Sequence, residues 1–451
     1  MRCKYSISIL FVCVLLLKCE AQTFEWISPD VGINYGVDYA KIKETQHGDF
    51  FIIGNNYHKV ACIKLNKFGK IIWEVSPNIF SKGLTDFISI DNEKSFYVIG
   101  LGNAFPPTNI MFNINLDGII SFEKEIYSLT YYPFRFSSKK YKNQLLTCGY
   151  SFQPYPNGNP IIEFRGLNGD TLGKKEITNG NYGKAQRIFE LKDFSGFLLF
   201  CGLYDSPYFT IIQTDSIGNP TSIKDYGKGN FGYRTDYMDL VEKDSSYFLL
   251  GYIDFNNTID WQKRGNYIYQ FNCDGDSVYL NKLDDNHASL KAIAATYDKG
   301  FIVAGDALIK FDSNYKVEWH KDFKSGITIT SVGQAADGGF YGAGSYFDVS
   351  LNRYKMYVFK TDKNGNIDGS AKYPDIILYP NPAKNEIKFE LPYEEEFSIN
   401  IFDIQGRNCL QYKTIGSSKA DIGFLIEGIY LIKIQNYQGD VVKTMKLIKL
   451  D

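Results

Sequence analysis

The run GDFFIIG at residues 48–54 decides the fold, because close variants of it return along the chain. Short β-rich runs closing on glycine recur as SFYVIG (95–100), NQLLTCG (143–149), GFLLFCG (196–202), SYFLLG (246–251), GFIVAG (300–305) and GFYGAG (339–344). The intervals between the closing glycines are 46, 49, 53, 49, 54 and 39 residues, averaging about 48. Such a period suits repeat units made of one small sheet each, and it exceeds that of the common short helical repeats.

Working outward, each run is followed by an apolar strand, a turn rich in Gly, Asn or Asp, and a further strand. VACIKLNKFGKIIWE from Val60, NIMFNINLDGIISFEKE from Asn109 and ALIKFDSNYKVEWHKDF from Ala307 are three of the seven cases. The turn residues are those that tolerate positive φ in hairpins. A short strand precedes each run, as in AQRIFELKDF from Ala185 and LKAIAATYD from Leu290. Every repeat therefore supplies four strands, a to d, which is one propeller blade. The expected fold is all-β, a seven-bladed β-propeller of four-stranded blades over 22–372. The 34 Tyr and 34 Phe agree, since aromatic residues favour pleated, half-buried strands.

A ring of blades must close. The seventh repeat ends in NGNIDGS, a poor outer strand, whereas TFEWIS at 23–28 resembles IIWEVS of the first repeat. Residues 23–28 are thus predicted to complete blade seven and cover its open edge.

The two faces of the disc differ. The a–b and c–d turns are mostly tight, while several b–c and d–a connections are long and aromatic, and long loops on a rigid scaffold carry function more often. Tyr155, Tyr204, Tyr208, Tyr226, Tyr233, Trp261 and Tyr346, with Asp254 as a polar partner, are the ligand-binding candidates of that face. Tyr and Trp suit sugar rings because each joins a flat apolar body to a polar tip. In so tyrosine-rich a chain the same side chains also pack between blades.

Charge and termini bound the function further. With 49 Lys+Arg against 51 Asp+Glu, a net charge of −2 provides no field for nucleic acid, which is set aside as a partner. Arg2 and Lys4 precede an apolar run at 7–17, too short to span a bilayer, so 1–21 reads as a signal peptide. No later stretch is long and apolar enough for a span, and the expected state is a monomer. Five cysteines remain beyond residue 21, and their scatter reads as buried small hydrophobes rather than a disulfide framework. Cys148 and Cys201 stand at matching repeat positions in this reading.

After Lys372 the repeat stops. Residues 373–451 alternate short strands with Gly, Pro and Asn, as a small Ig-like β-sandwich does. Pro380-Asn381-Pro382 follows Tyr379, Gly406-Arg407 follows a strand, Gly428-Ile429-Tyr430 comes next, and the end reads Lys446-Leu447-Ile448-Lys449. In that order these motifs resemble the type A C-terminal sorting domain of the type IX secretion system. The resemblance implies handling by that machinery and a product secreted from, or attached to the outer surface of, a Gram-negative bacterium.

No catalytic signature stands out. His47, His58, His287 and His320 lie in separate places without paired spacing, so catalytic residues and metal ligands are both set to none. DKNGNID, from Asp362 to Asp368, alternates oxygen-bearing side chains as calcium loops do, yet a β-turn selects the same residues and the distal Glu is missing. No cofactor is expected. The expected function is a non-enzymatic binding protein that presents its aromatic face to a glycan or protein. A carbohydrate-active hydrolase or lyase and a structural spacer are the competing classes.

Overall fold

The computed structural model describes residues 23–27, 40–56, 59–77, 81–90, 94–102, 109–126, 131–136, 143–151, 158–178, 184–202, 209–226, 233–255, 265–283, 290–367, 376–391, 396–435 and 441–451. The expected signal peptide at 1–21 lies outside them. Among the described residues there is no helix, and seven four-stranded antiparallel sheets run from residue 24 to residue 360. Blade one comprises Ala40–Glu44, Phe50–Asn56, Lys59–Leu65 and Ile71–Val75, paired in sequence order. Blades two to six repeat that order. Blade seven takes Ile327–Gln334, Phe340–Asp348 and Arg353–Lys360 from the end of the propeller, and Phe24–Ile27 from its beginning.

The core sits between blades, because each sheet buries apolar side chains on both faces. Phe51 of blade one stacks on Phe96 of blade two with ring centroids 3.9 Å apart. Phe189 and Phe200 of blade four meet Tyr247 of blade five, and Phe248 of blade five meets Phe301 of blade six. The ring is continuous, since Phe24, Ala343, Met356 and Val358 of blade seven share one buried cluster with Ala40, Ile42, Phe50, Ile52, Ile63 and Leu65 of blade one. Each buried Phe, Ile, Leu, Val or Met side chain among them contributes about 1.5–3 kcal/mol by area removed from water.

The c–d turns are built alike. In blade one the Asn66 side-chain oxygen accepts the amides of Phe68 and Lys70 at 3.0 and 2.9 Å. Asn115, Asp215, Asn272, Asp312 and Asp362 cap the turns of blades two, four, five, six and seven in the same way, while blade three has Gly166 at that position. In blades one, two, four and seven the capped turn holds its glycine at positive φ against the outer strand of the preceding blade. Gly118, at φ 82°, would set a Cβ 3.0 Å from the Trp73 ring, whose Nε1 donates to the Leu116 carbonyl at 2.8 Å.

Strand register corrects one detail of the repeat. Counted back from the turn caps, Cys148 pairs with Ile162 and Phe200 with Ile211, so Cys148 and Phe200 are equivalent. Cys201 therefore occupies the place of Gly149, and Gly202 lies one residue beyond the common glycine position. The similar runs NQLLTCG and GFLLFCG concealed this one-residue slip, which inverts facing because side chains alternate along a strand. Cys148 and Cys201 thus both enter the buried cluster between blades three and four.

The terminal module is a separate sandwich. A three-stranded sheet (Ile377–Tyr379, Glu386–Glu390, Ser418–Asp421) accompanies a four-stranded one ordered Asn408–Ile415, Glu396–Phe402, Gly428–Gln435, Val441–Lys449. Ile387, Phe389, Phe397, Ile399, Ile401, Ile432, Ile434 and Leu447 form its dry interior.

Candidate functional site

The innermost a strands carry polar residues at one offset. Lys41, Asp86, Arg187, Asp239 and Ser331 pair in register with Ile53, Ile99, Phe200, Leu250 and Ala343, which are equivalent positions of their b strands. These side chains join neighbouring blades. Lys41 of blade one pairs with Asp86 of blade two. Arg187 of blade four reaches Asp239 of blade five at 3.0 Å, and the second oxygen of Asp239 accepts the Ile293 amide of blade six at 3.2 Å. Thr330 donates to the Ala40 carbonyl at 2.8 Å and accepts the Ala40 amide at 3.1 Å across the closing seam. Asp86 and Asp239 therefore each face a cation of the preceding blade. Sequence reasoning missed this belt because its partners lie more than forty residues apart, although one polar residue at a fixed offset in an apolar strand was a readable sign.

On the tight-turn face, lysines of three c strands are paired with turn carboxylates. Lys310 is buried beneath the a–b turn of blade six, 2.7 Å from Asp298 and 2.8 Å from Glu318. Burial alone would raise the Asp298 carboxyl, but Lys310, the Thr296 hydroxyl and the Gly300 amide outweigh it and hold the group at about 2. Lys64 with Asp49 and Lys360 with Asp337 repeat the arrangement in blades one and seven.

On the opposite face the b–c hairpin of blade seven stands out. Asp348 closes it, accepting the Ser350 hydroxyl at 2.6 Å and pairing with Lys355 at 3.0 Å; these contacts hold its carboxyl at about 2. Phe347 and Tyr354 pack together at 4.9 Å, and the tip leaves Val349 79% and Leu351 52% exposed.

The ligand candidates distribute as follows. Tyr226 lies in the seam between blades four and five, stacked on Phe209 with centroids 5.1 Å apart, its hydroxyl donating to the Gly275 carbonyl. Burial raises its phenol, and the ring serves packing between blades. Tyr346 is half-buried against the cluster shared by blades six and seven. The two stand on different blades and do not share a cluster. Strand register places Asp254 opposite Arg234, next to Tyr233, at one end of blade five. Tyr155, Tyr204, Tyr208 and Trp261 lie outside the described residues.

The described part of the Asp362–Asp368 segment is a capped turn. Asp362 accepts the amides of Asn364 and Asn366 at 2.8 Å each and the Asn366 carboxamide at 3.1 Å. Asp368 lies outside the described residues. Among the described residues, no three His, Cys, Asp or Glu side chains gather as a metal site.

In the terminal module the motif residues occupy defined places. Asn381 donates to the Lys446 carbonyl at 2.6 Å and accepts the Ile448 amide at 2.9 Å. Arg407 is held by Asp403 at 2.7 Å in the turn that contains Gly406. Tyr430 donates to the Ile426 carbonyl at 2.8 Å, two residues before Gly428, and Lys449 is buried.

Fold and sites together define the class: a seven-bladed β-propeller followed by a small β-sandwich whose signature residues brace its own turns and last strand. Residues 377–449 match the family described as the secretion system C-terminal sorting domain. The chain is accordingly a type IX-sorted propeller protein, secreted or attached at the outer surface of a Gram-negative bacterium. The hydrazine synthase of Kuenenia stuttgartiensis shares the fold at 11% identity, covering 72% of this chain and 96% of that chain with a TM-score of 0.52. Streptogramin B lyase (11% identity, 75% and 99% covered, TM-score 0.48) and BamB of Moraxella catarrhalis (12%, 72% and 99%, 0.41) are also similar. No curated protein matches the sequence. No helix among the described residues is long and apolar enough to cross a membrane.

Proposed function

We propose that the exported propeller is a non-enzymatic binding protein whose b–c and d–a face takes a glycan. The observation that supports this reading is the inequality of the faces. Described turns of one face are short and closed by their own backbone hydrogen bonds, whereas the other presents the apolar tip of the blade-seven hairpin, and the sequence assigns the long aromatic connections to that same face. The pairing of Asp86 with Lys41 and Asp239 with Arg187 favours binding over glycoside hydrolysis. That chemistry needs two carboxyls placed across one sugar, whereas Asp86 and Asp239 each bridge a seam between neighbouring blades.

The test is glycan-array binding by the mature full-length chain, compared with Trp261→Ala and with Val349→Asp/Leu351→Asp. Glycan-specific binding that both variants weaken at least about tenfold is expected, as loss of a stacking or apolar contact would give. Absence of binding to every glycan, or release of reducing sugar from pooled polysaccharides, would overturn the reading.

A further inference from the structure

The last strand, Val441–Lys449, lies at the edge of its sheet, with Gly428–Gln435 on one side. On its other side the Pro380-Asn381-Pro382 turn occupies the place of a neighbouring strand. The Asn381 carboxamide imitates a peptide group there, donating to the Lys446 carbonyl at 2.6 Å and accepting from the Ile448 amide at 2.9 Å. Ala383 continues the ladder with its backbone, donating to the Ile448 carbonyl at 2.9 Å and accepting the Leu450 amide at 2.8 Å, in a parallel bridge to Lys449. Two sequence motifs more than sixty residues apart are thereby one physical unit. Asn suits the role because it offers a donor and an acceptor from one planar group, whereas Asp offers acceptors alone and would face the Lys446 carbonyl with like charge.

We propose that Asn381 is a positioning residue for sorting: it acts on export by holding the strand edge from Lys446 to Leu450 in register, and the terminal strand so held is what the secretion machinery engages. The outward edge of a β-strand frays or pairs elsewhere when nothing covers it. Loss of the staple frees the Ile448 amide and the Lys446 carbonyl directly and loosens the two Ala383 bonds beside them.

The experiment uses the full chain in a type IX-secreting host, with Asn381→Ala, Asn381→Asp and Asn381→Ser. Surface delivery is read by fractionation, and amide exchange is followed in the purified proteins. Asn381→Ala is expected to speed exchange at Ile448 and Leu450 by about tenfold, the loss of two modest hydrogen bonds, while Ile399 and Ile432 in the sandwich interior keep wild-type protection. Surface delivery falls in the same variant, and across the series it follows protection at Ile448 and Leu450. Lost delivery with wild-type protection at those amides would overturn the proposal in favour of direct recognition of the Asn381 side chain. Normal delivery with lost protection, or wild-type values of both in Asn381→Ala, would overturn it as well. If Asn381→Ala unfolds the sandwich, Asn381→Ser and Asn381→Asp carry the comparison, and delivery unrelated to protection between them refutes it.

Discussion

Glu163 and Arg165 are buried charges where blades one, two and six place apolar side chains. Their counterparts in the c strands are Ile63 and Leu65 in blade one, Phe112 and Ile114 in blade two, and Ile309 and Phe311 in blade six. Arg165 is 1% exposed and Glu163 3%, and the guanidinium also donates to the Gly169 carbonyl at 3.3 Å and the Thr171 hydroxyl at 3.1 Å. Burial pushes the Glu163 carboxyl up and the Arg165 guanidinium down, and their mutual attraction opposes both shifts. Removing one partner strands the other charge in a buried seam, whereas removing both restores what blades one, two and six use. Glu163→Ile alone and Arg165→Leu alone should each cost about 3–5 kcal/mol, and the double variant far less than their sum. Urea unfolding of the four proteins checks this, and additive losses would show that the pair is not coupled.

At the scale of elements, the c–d turn and the preceding outer strand form a repeated joint. Gly118 needs its positive φ and also lacks room for a Cβ beside Trp73. Gly118→Ala should cost about 1–3 kcal/mol, part from backbone strain and part from overpacking. In a Trp73→Ala background the packing share should vanish, so the Gly118→Ala loss shrinks; an unchanged loss in denaturant midpoints would assign it to the backbone alone. These turns were legible in the sequence because their chemistry is local: an Asx cap and a glycine three residues later suffice. The slip at Cys201 was not legible, since only pairing with Thr210 and Ala185 reveals which strand position it fills. The seam packing of Tyr226 was hidden for a related reason, because a tyrosine at a loop mouth and one in a seam look alike until the neighbouring Phe209 and Gly275 are placed. The inner belt escaped altogether, being made of contacts between blades.

For the whole molecule, closure depends on the four residues Phe24–Ile27. Phe24–Ile27 pairs antiparallel with Arg353–Lys360, Phe24 lying opposite Lys360 as Trp73 lies opposite Lys64 in blade one. Phe24 is 1% exposed, meets Phe50 of blade one at 5.4 Å, and presses on Gly69 of the next c–d turn as other outer-strand aromatics do. The resemblance of 23–28 to the first repeat's outer strand therefore had a physical basis, although the matching register became visible only through strand pairing. Phe24→Ala leaves the strand in place but empties the seam, and a loss of about 3–5 kcal/mol is expected in urea unfolding. Deleting 22–27 is a different perturbation, because it uncovers the edge of Arg353–Lys360 as well as removing Phe24. An uncovered strand invites pairing with another chain. The deletion should thus lower the thermal midpoint further than Phe24→Ala and produce concentration-dependent oligomers in size-exclusion chromatography, which Phe24→Ala does not. A deletion variant that stays monomeric with the midpoint of Phe24→Ala would show that the ring closes through blade contacts alone.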